Sequence, residues 1–154
     1  NLFVSSMERV QLSKDLTFQK IFSVLIFVVL IAVMAGSGVN IWYVTAICAV
    51  AAYVGYSTIY QADNIEFDKD YMYISTRNDE VSASLAEVYV IKLTMTQLNR
   101  QRMWKVKYKI DGIEKAARFF PSSSPALDEF IQNVQAKNPD VKVSYSTNSF
   151  DLDS

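Results

Sequence analysis

A concentration of basic side chains between residues 100 and 118 is the part of this sequence whose residue types best suit binding. Lysine and arginine at this density attract anionic groups, such as lipid headgroups or the acidic surface of a partner protein. The remaining interpretation is a solvated strand face whose charges discourage edge-to-edge pairing. All three interpretations remain open from the sequence. The candidate lipid or partner surface consists of Arg100, Arg102, Lys105, Lys107, Lys109 and Arg118.

Catalytic and metal chemistry have little support, because the chain has no histidine, the commonest general base and metal ligand. Its single cysteine, Cys48, lies inside an apolar run, where a small packing role is expected. Four carboxylates lie close together in the sequence, but they lack the spacing and the turn glycine of a calcium loop, so an acidic turn is preferred. These carboxylates belong to Asp63, Glu66, Asp68 and Asp70. We therefore predict no catalytic residue, no metal and no cofactor, and we predict that the protein is not an enzyme.

The longest stretch without a charged residue covers residues 21–61, and Gly36 and Asn40 lie near the break that divides it into two apolar runs. As helices, the runs 21–38 and 41–60 would be about 27 and 30 Å long, close to the thickness of the hydrocarbon core of a bilayer. A helix is also the form in which a backbone satisfies its own hydrogen bonds in lipid. A buried helical pair of a soluble protein would show a polar stripe, and a signal peptide would have one shorter run with a cleavage site. The sequence therefore predicts a transmembrane helical hairpin over residues 21–61.

Small residues spaced four positions apart in each run predict close packing of helices in lipid. Neither run contains an aspartate, glutamate, lysine or arginine, which argues against an ion or substrate pathway through this chain alone. The predicted helix-packing residues are Ala32 and Gly36 in the first run, and Ala51 and Gly55 in the second.

Residues 1–20 form an amphiphilic lead-in that contains Arg9, Lys14 and Lys20. Ser13 is expected to cap a short helix that continues into the first apolar run. The connection between the two runs carries no lysine or arginine, so the positive-inside rule keeps the lead-in in the cytoplasm. Two crossings then return the rest of the chain to the same side. We therefore predict a multi-pass protein of the cell inner (cytoplasmic) membrane with both termini in the cytoplasm.

Residues 62–145 change to the two-residue period of β-strands, most clearly on either side of Asp111-Gly112. This dipeptide between alternating segments predicts a two-residue hairpin, because both residues tolerate a positive φ. In the implied register Lys105 lies opposite Arg118, which is unfavourable unless an anionic group lies over that face. The other implied pairs are Ile110 with Ile113, Val106 with Ala117, Trp104 with Phe119 and Lys109 with Glu114.

An amphipathic helix is predicted over residues 125–137, with Ser124 as its N-cap and Pro125 at its first position. Its apolar residues recur at helical spacing, so one face of the helix would close the β domain. A last short strand is expected within residues 141–145, and residues 146–154 form a polar tail.

This element order, antiparallel strands in a meander followed by one amphipathic helix, resembles a pleckstrin-homology-like (PH-like) domain. With two preceding spans, the chain resembles the small bacterial inner-membrane proteins that carry such a domain. The resemblance covers about residues 64–138 and the hairpin, and it depends on the element order and on the region from 111 to 125. It implies an α+β membrane protein in which a two-helix transmembrane hairpin precedes a small antiparallel β (PH-like) domain closed by one amphipathic helix. The family's phosphoinositide-binding members use a basic first hairpin loop, whereas the matching residues 68–70 are acidic overall, so no lipid-binding residue is carried over.

The function that these features favour is a non-catalytic accessory or scaffold subunit of an inner-membrane protein complex. Its expected partners are the membrane and other integral membrane subunits, with anionic lipid headgroups as a further candidate. The alternative is a membrane-surface sensor that binds anionic lipid through Lys105, Lys107 and Lys109. An enzyme would require a cleft carboxylate that the sequence does not reveal. Nucleic acid is not an expected partner, because 15 basic residues are balanced by 16 acidic ones and the aromatic residues among the lysines face the core.

Overall fold

The structure is a computed structural model in which residues 8–38, 40–56, 60, 62–75 and 79–146 are described. Over these residues the fold is α+β, with three α-helices and two four-stranded, mostly antiparallel sheets. The helices are α1 (Thr17–Gly36), α2 (Ile41–Gly55) and α3 (Ser124–Lys137). The strands are β1 (Val10–Gln11), β2 (Asn64–Phe67), β3 (Tyr71–Ser75), β4 (Glu80–Ser84), β5 (Val88–Leu98), β6 (Gln101–Ile110), β7 (Ile113–Phe119) and β8 (Lys142–Ser144).

The chain divides into two compact units. Asp15–Gln61 contain α1 and α2 and form the helical unit. The residues before and after that segment form the β unit, which contains the two sheets and α3. The sequence predicts instead a β domain that begins at residue 62, after a separate lead-in of residues 1–20. The difference arises because the chain contributes to the β unit both before α1 and after α2.

The segment before α1 supplies the first strand of the β unit and part of its core. β1 pairs antiparallel with β2, and Leu12, which follows β1, is fully buried. The backbone amides of Leu12 and Ser13 both donate to the carbonyl oxygen of Ile65. The Ser13 hydroxyl accepts a hydrogen bond from the Ile65 amide and donates one to Asn64 Oδ1, each at 2.8 Å. Ser13 is therefore a buried residue of the β unit, and the prediction that it caps a helix is wrong.

Arg9 is also bound within the β unit. Its Nη1 atom lies 3.0 Å from a carboxylate oxygen of Glu80 and 3.8 Å from one of Glu66. The guanidinium group lies over the ring of Tyr73, 3.8 Å from the ring centroid. Arg9 is therefore paired with acidic and aromatic groups of the β unit.

α1 is the one helix, within the described part of the chain, that is long and apolar enough to cross a membrane. It contains 20 residues, none of which is buried, and its length is about 30 Å. It begins at Thr17, whose amide donates to Asp15 Oδ1 at 2.9 Å. α2 is also apolar, but it has 15 residues and is about 22 Å long. The structure therefore shows a pair of apolar helices with one candidate membrane span.

One hydrophobic core joins the two sheets and α3. The first sheet has the order β1-β2-β3-β4, and the second has the order β7-β6-β5-β8 with β8 parallel to β5. Phe67 of β2 and Phe130 of α3 meet edge to face, with ring centroids 5.4 Å apart. Burying a side chain of this size stabilises a fold by about 1.5–3 kcal/mol, so α3 contributes substantially to the core.

The β6–β7 hairpin has the predicted turn and register. Asp111 and Gly112 have φ angles of 52° and 78°, as a two-residue type I′ turn requires. Lys105 lies opposite Arg118, as predicted. The other confirmed pairs are Ile110 with Ile113, Val106 with Ala117, Trp104 with Phe119 and Lys109 with Glu114.

α3 begins one residue earlier than predicted, and its N-cap is Ser123 rather than Ser124. The Ser123 hydroxyl accepts a hydrogen bond from the Ala126 amide at 3.3 Å, which satisfies one of the free amides of the first turn. The helix ends at Lys137, as predicted. The following strand, Lys142–Ser144, lies within the predicted range 141–145 and pairs with β5.

Candidate functional site

The outer face of the second sheet gathers basic side chains from four strands. On β6, Trp104, Val106 and Tyr108 are buried, whereas the alternating Lys105 and Lys107 lie on the side away from the core. The neighbouring strands β5, β7 and β8 each contribute one basic residue that alternates with core residues in the same way. We call this surface the lysine face and define it by Lys92, Lys105, Lys107, Arg118 and Lys142.

Strand register aligns these side chains in two rows. In the first row Lys105 lies between Lys92 on β5 and Arg118 on β7 and is directly opposite each of them. Residues in direct register have Cβ atoms about 5 Å apart, so the three cations occupy about 10 Å of the sheet. The second row consists of Lys142, Val90, Lys107 and Ala116.

The proximity of the cations changes the ionisation of Lys105. Partial burial lowers the pKa of Lys105 below its ordinary value, and the positive charges of Arg118, Lys107 and Lys92 lower it further. The positive charges of the lysine face therefore repel one another. An anion over the first row would reduce that repulsion and favour the protonated form of Lys105.

Asp63 fixes the edge of this surface through the backbone of Arg118. The Arg118 amide donates to Asp63 Oδ2 at 2.9 Å, and the Asp63 amide donates to the Arg118 carbonyl oxygen at 2.6 Å. These two hydrogen bonds hold the edge strand β7 next to the segment that leads into β2. Asp63 therefore helps to position the edge strand β7.

Lys109 lies on the same strand as Lys105 but has a different electrostatic environment. Its Nζ atom lies 3.9 Å from Glu114 Oε1 and 5.6 Å from the centroid of the Tyr89 ring. The carboxylate of Glu114 partly neutralises Lys109, although an exposed pair of this kind contributes only about 0–1 kcal/mol. Lys109 is therefore less available to an external anion than Lys105 and Lys107 on the same strand.

Arg100 and Arg102 lie at the turn between β5 and β6 rather than on the lysine face. Asn99 and Arg100 have φ angles of 47° and 64° and form the two-residue turn itself. Arg102 lies opposite Gln97, and a register shift between Leu93 and Gln97 separates this pair from the first row. Of the six predicted basic residues, three lie on the lysine face and two lie at the turn. The sixth, Lys109, pairs with Glu114.

Lys92 and Lys142 belong to the lysine face, but the sequence does not predict them as site residues. β5 has register irregularities before Val90 and after Leu93, and these interrupt the two-residue period that would place Lys92. Lys142 joins the face through parallel pairing after α3, which no local pattern encodes. The alternation of buried Ile91 with Lys92 is the local signal that could identify the first of them.

The carboxylates of Asp68 and Asp70 in the predicted acidic turn each interact with groups of the protein itself. Asp68 Oδ1 accepts the amides of Asp70 and Tyr71, and Asp68 Oδ2 accepts the Tyr73 hydroxyl, each at 2.8 Å. Burial raises the pKa of Asp68, but these hydrogen bonds outweigh it and hold the pKa below its ordinary value. Asp70 also pairs with Lys137. Within the described ranges, no three histidine, cysteine, aspartate or glutamate side chains group closely enough to hold a metal ion.

The four predicted helix-packing residues lie on α1 and α2. A Cβ atom added at Gly36 or Gly55 would meet nothing within 4 Å. Ala32 and Ala51 are exposed. These small residues therefore do not mark a close approach between the two helices of this chain, and their packing against other helices stays a prediction.

Comparison with protein-family models and with curated proteins gave no match for this chain. Its function is therefore inferred from the arrangement of its own residues.

Proposed function

We propose that this protein is a non-catalytic accessory or scaffold subunit of a protein complex in the cell inner (cytoplasmic) membrane. In this proposal α1 and α2 form a transmembrane hairpin, and the β unit is a cytoplasmic PH-like binding domain. The observation that carries the proposal is the apolar surface of α1, a helix in which no residue is buried by the described chain. Soluble monomers rarely leave so large an apolar surface in water, whereas lipid and other membrane helices cover it.

The pairing of β1 with β2 supports two crossings of the membrane rather than one. β1 precedes α1 and β2 follows α2, yet the two strands are neighbours in one sheet. A chain that crosses the bilayer along α1 has to return before β2 in order to complete that sheet. α2 and the uncharged residues that follow it supply the return crossing in this proposal. Lys14 and Lys20 favour the cytoplasmic side for the β unit.

The composition of the helical unit supports a role in assembly rather than in transport. Residues 21–61 contain no charged side chain, whereas proton relays and ion pathways usually need one. The small residues of α1 and α2 would let a helix of another subunit approach closely. An accessory subunit that packs against larger membrane proteins would use these features.

The element order of the β unit supports a PH-like domain. β2–β4 and β5–β7 are two antiparallel meanders, and α3 follows them and packs on their shared core. β1 and the parallel strand β8 are additions to that order. Domains of this kind bind through exposed faces and loops, which suits a scaffold.

Extraction of the full-length chain from its native membrane in mild detergent, followed by size analysis, tests the proposal. We expect the chain to migrate with other integral membrane proteins. The double substitution Ala32→Leu/Gly36→Leu should lower the recovery of these partners on the order of tenfold, because bulky side chains prevent the close approach of helices.

A matched control places leucine at two other positions of the same helix with the same spacing. Val29→Leu/Val33→Leu changes two exposed positions of α1 and should leave the recovered complex unchanged. A wild-type chain that is extracted as a stable monomer without co-purifying proteins would contradict the proposal.

A further inference from the structure

We propose that the lysine face docks onto the anionic lipid headgroups of the bilayer in which the chain is anchored, an inference that rests on the membrane anchoring proposed above. Lys92, Lys105 and Arg118 lie in one row, and Lys107 and Lys142 lie in the row beside it. No aromatic side chain interrupts these rows, so the cations can reach a planar surface together. The uncharged residues of the two rows are Val90, Ala116 and Ser144.

Lysine dominates the charge of the two rows. They contain four lysines beside Arg118, and none of the residues paired in these rows carries a carboxylate. In the adjacent row the carboxylate of Glu114 pairs with Lys109, and Asp63 accepts the backbone amide of Arg118. Burial lowers the pKa of Lys105 below its ordinary value, and the neighbouring cations lower it further. A layer of phosphate groups over the rows would reduce this repulsion.

The composition of the face favours lipid over a protein partner. Four of its five cations are lysines. Protein–protein interfaces are depleted in lysine and enriched in arginine and aromatic residues. A lysine ammonium group is a point charge on a flexible stem, which suits contact with many phosphates in one plane. Anionic membrane surfaces attract lysine clusters of this size.

The connection before α1 keeps the β unit next to the membrane once α1 is inserted. The Lys14 amide donates to the Phe120 carbonyl oxygen within the β unit, and α1 begins three residues later at Thr17. Three residues of extended chain reach at most about 11 Å. The lysine face therefore needs no separate recruitment step to meet headgroups.

The test uses the full chain in nanodiscs of phosphatidylcholine, either alone or mixed with phosphatidylglycerol in a two-to-one ratio. A neutral fluorophore is attached to the thiol introduced by Ala116→Cys in a Cys48→Ala background, because Ala116 is an exposed member of the second row. We expect the fluorophore to be protected from acrylamide quenching in the phosphatidylglycerol discs and not in the phosphatidylcholine discs. Added salt should reduce the protection, because it screens the attraction.

Charge removal then shows whether the lysine face causes the protection. Lys92→Gln/Lys105→Gln/Lys107→Gln should lower the docking equilibrium about a hundredfold, since each lysine near an anionic surface contributes about a fivefold factor. The matched control Lys69→Gln/Lys115→Gln/Lys137→Gln removes the same charge from other surfaces and should retain the protection. With Trp42→Phe in both variants, the emission of the buried Trp104 reports that they remain folded.

Three outcomes would overturn the docking inference. Equal quenching in the two kinds of disc would mean that the lysine face is solvated. Equal loss in the two triple variants would mean that net charge, and not this face, is responsible. Protection that arises only after a membrane protein extract is added would assign the face to an acidic protein. Co-elution of the chain with phosphatidylcholine discs reports anchoring separately, so a failure of anchoring is distinguishable from a failure of docking.

Discussion

The helical unit exposes its apolar side chains, whereas the β unit buries them. Phe67, Phe119 and Phe130 of the β unit are fully buried, whereas Ile21 and Val33 of the helical unit each expose 63% of their surface. Both units use common apolar residue types, so the difference lies in their pattern. The strands alternate apolar with polar residues, and α3 has an apolar face and a polar face. By contrast, α1 is apolar on every side. The β unit therefore supplies its own core, while the helical unit is expected to need lipid or other helices around it.

The largest expected effect concerns whether the helical unit lies in lipid at all. In a Cys48→Ala background, single cysteines replace Ser37 between the two helices, Glu8 before β1 and Asp128 on α3, all of which are exposed. With a membrane-impermeant maleimide and sealed vesicles, we expect Glu8→Cys and Asp128→Cys to label from one side and Ser37→Cys to label from the other. The effect is all-or-none, because a bilayer excludes the reagent.

Two labelling patterns would contradict the expected placement of the helical unit in lipid. Labelling of all three positions from one side would mean that the helical unit does not cross the bilayer. Labelling of Glu8→Cys and Asp128→Cys from opposite sides would contradict the pairing of β1 with β2 in an anchored chain. Detergent-opened vesicles, in which all three positions should react, provide the control for reagent access.

A substitution in the core of the β unit should lower its free energy of unfolding by several kcal/mol, whereas a substitution on the surface of α1 should not. Phe130→Ala removes a fully buried ring and its edge contact with Phe67, so we expect the free energy of unfolding of the β unit to fall by about 3–5 kcal/mol. Denaturant titration of the full chain in detergent measures this change through Trp104, with Trp42→Phe removing the other tryptophan.

Val33→Ala is the control for that substitution, because it shortens an exposed apolar side chain of α1. We expect it to change the unfolding free energy of the β unit by less than about 0.5 kcal/mol. Similar losses for Phe130→Ala and Val33→Ala would mean that the two units share one cooperative core, contrary to their division into separate compact units.

Features that depend on neighbouring residues could be predicted from the sequence. Asp111-Gly112 determines its own turn through positive φ, and the alternation on either side then sets the register of the hairpin. The bounds of α3 were predicted to within one residue, since its caps and its apolar spacing are local. The apolar runs also identified the two helices, although α2 is shorter over the described residues than the predicted span.

Features that depend on distant pairing could not be predicted in this way. β1 has two residues, too few for a periodic signal, and its partner strand follows 47 residues of helical unit. Lys92 joins the lysine face from an irregular strand, and Lys142 joins it from a parallel strand. Local patterns indicate which face a residue takes within one strand, but they do not order the strands. The sequence therefore predicts a basic surface around β6 and β7, but it does not predict that Lys92 and Lys142 belong to it.

The smallest expected effect concerns Ser13, near the point where the chain leaves the β unit for α1. Ser13→Ala leaves the buried Ile65 amide without its side-chain acceptor and removes the donor to Asn64 Oδ1. We expect the unfolding free energy of the β unit to fall by about 1–3 kcal/mol, as is usual for a buried polar group left unsatisfied. The same Trp104 titration measures it. Ser82→Ala on the exposed side of β4 is the matched control and should cost less than about 0.5 kcal/mol.

If Ser13→Ala behaves like Ser82→Ala, the hydroxyl group of Ser13 does not stabilise the β unit. If the expected loss is found, a fragment that begins at residue 62 should be less stable than the full chain, because it lacks Ser13, β1 and the buried side chain of Leu12. The β unit then depends on residues from both sides of the helical unit. Such dependence would couple the folding of the β unit to the return of the chain through the helices, because β2 can complete its hydrogen bonds only when both ends lie together.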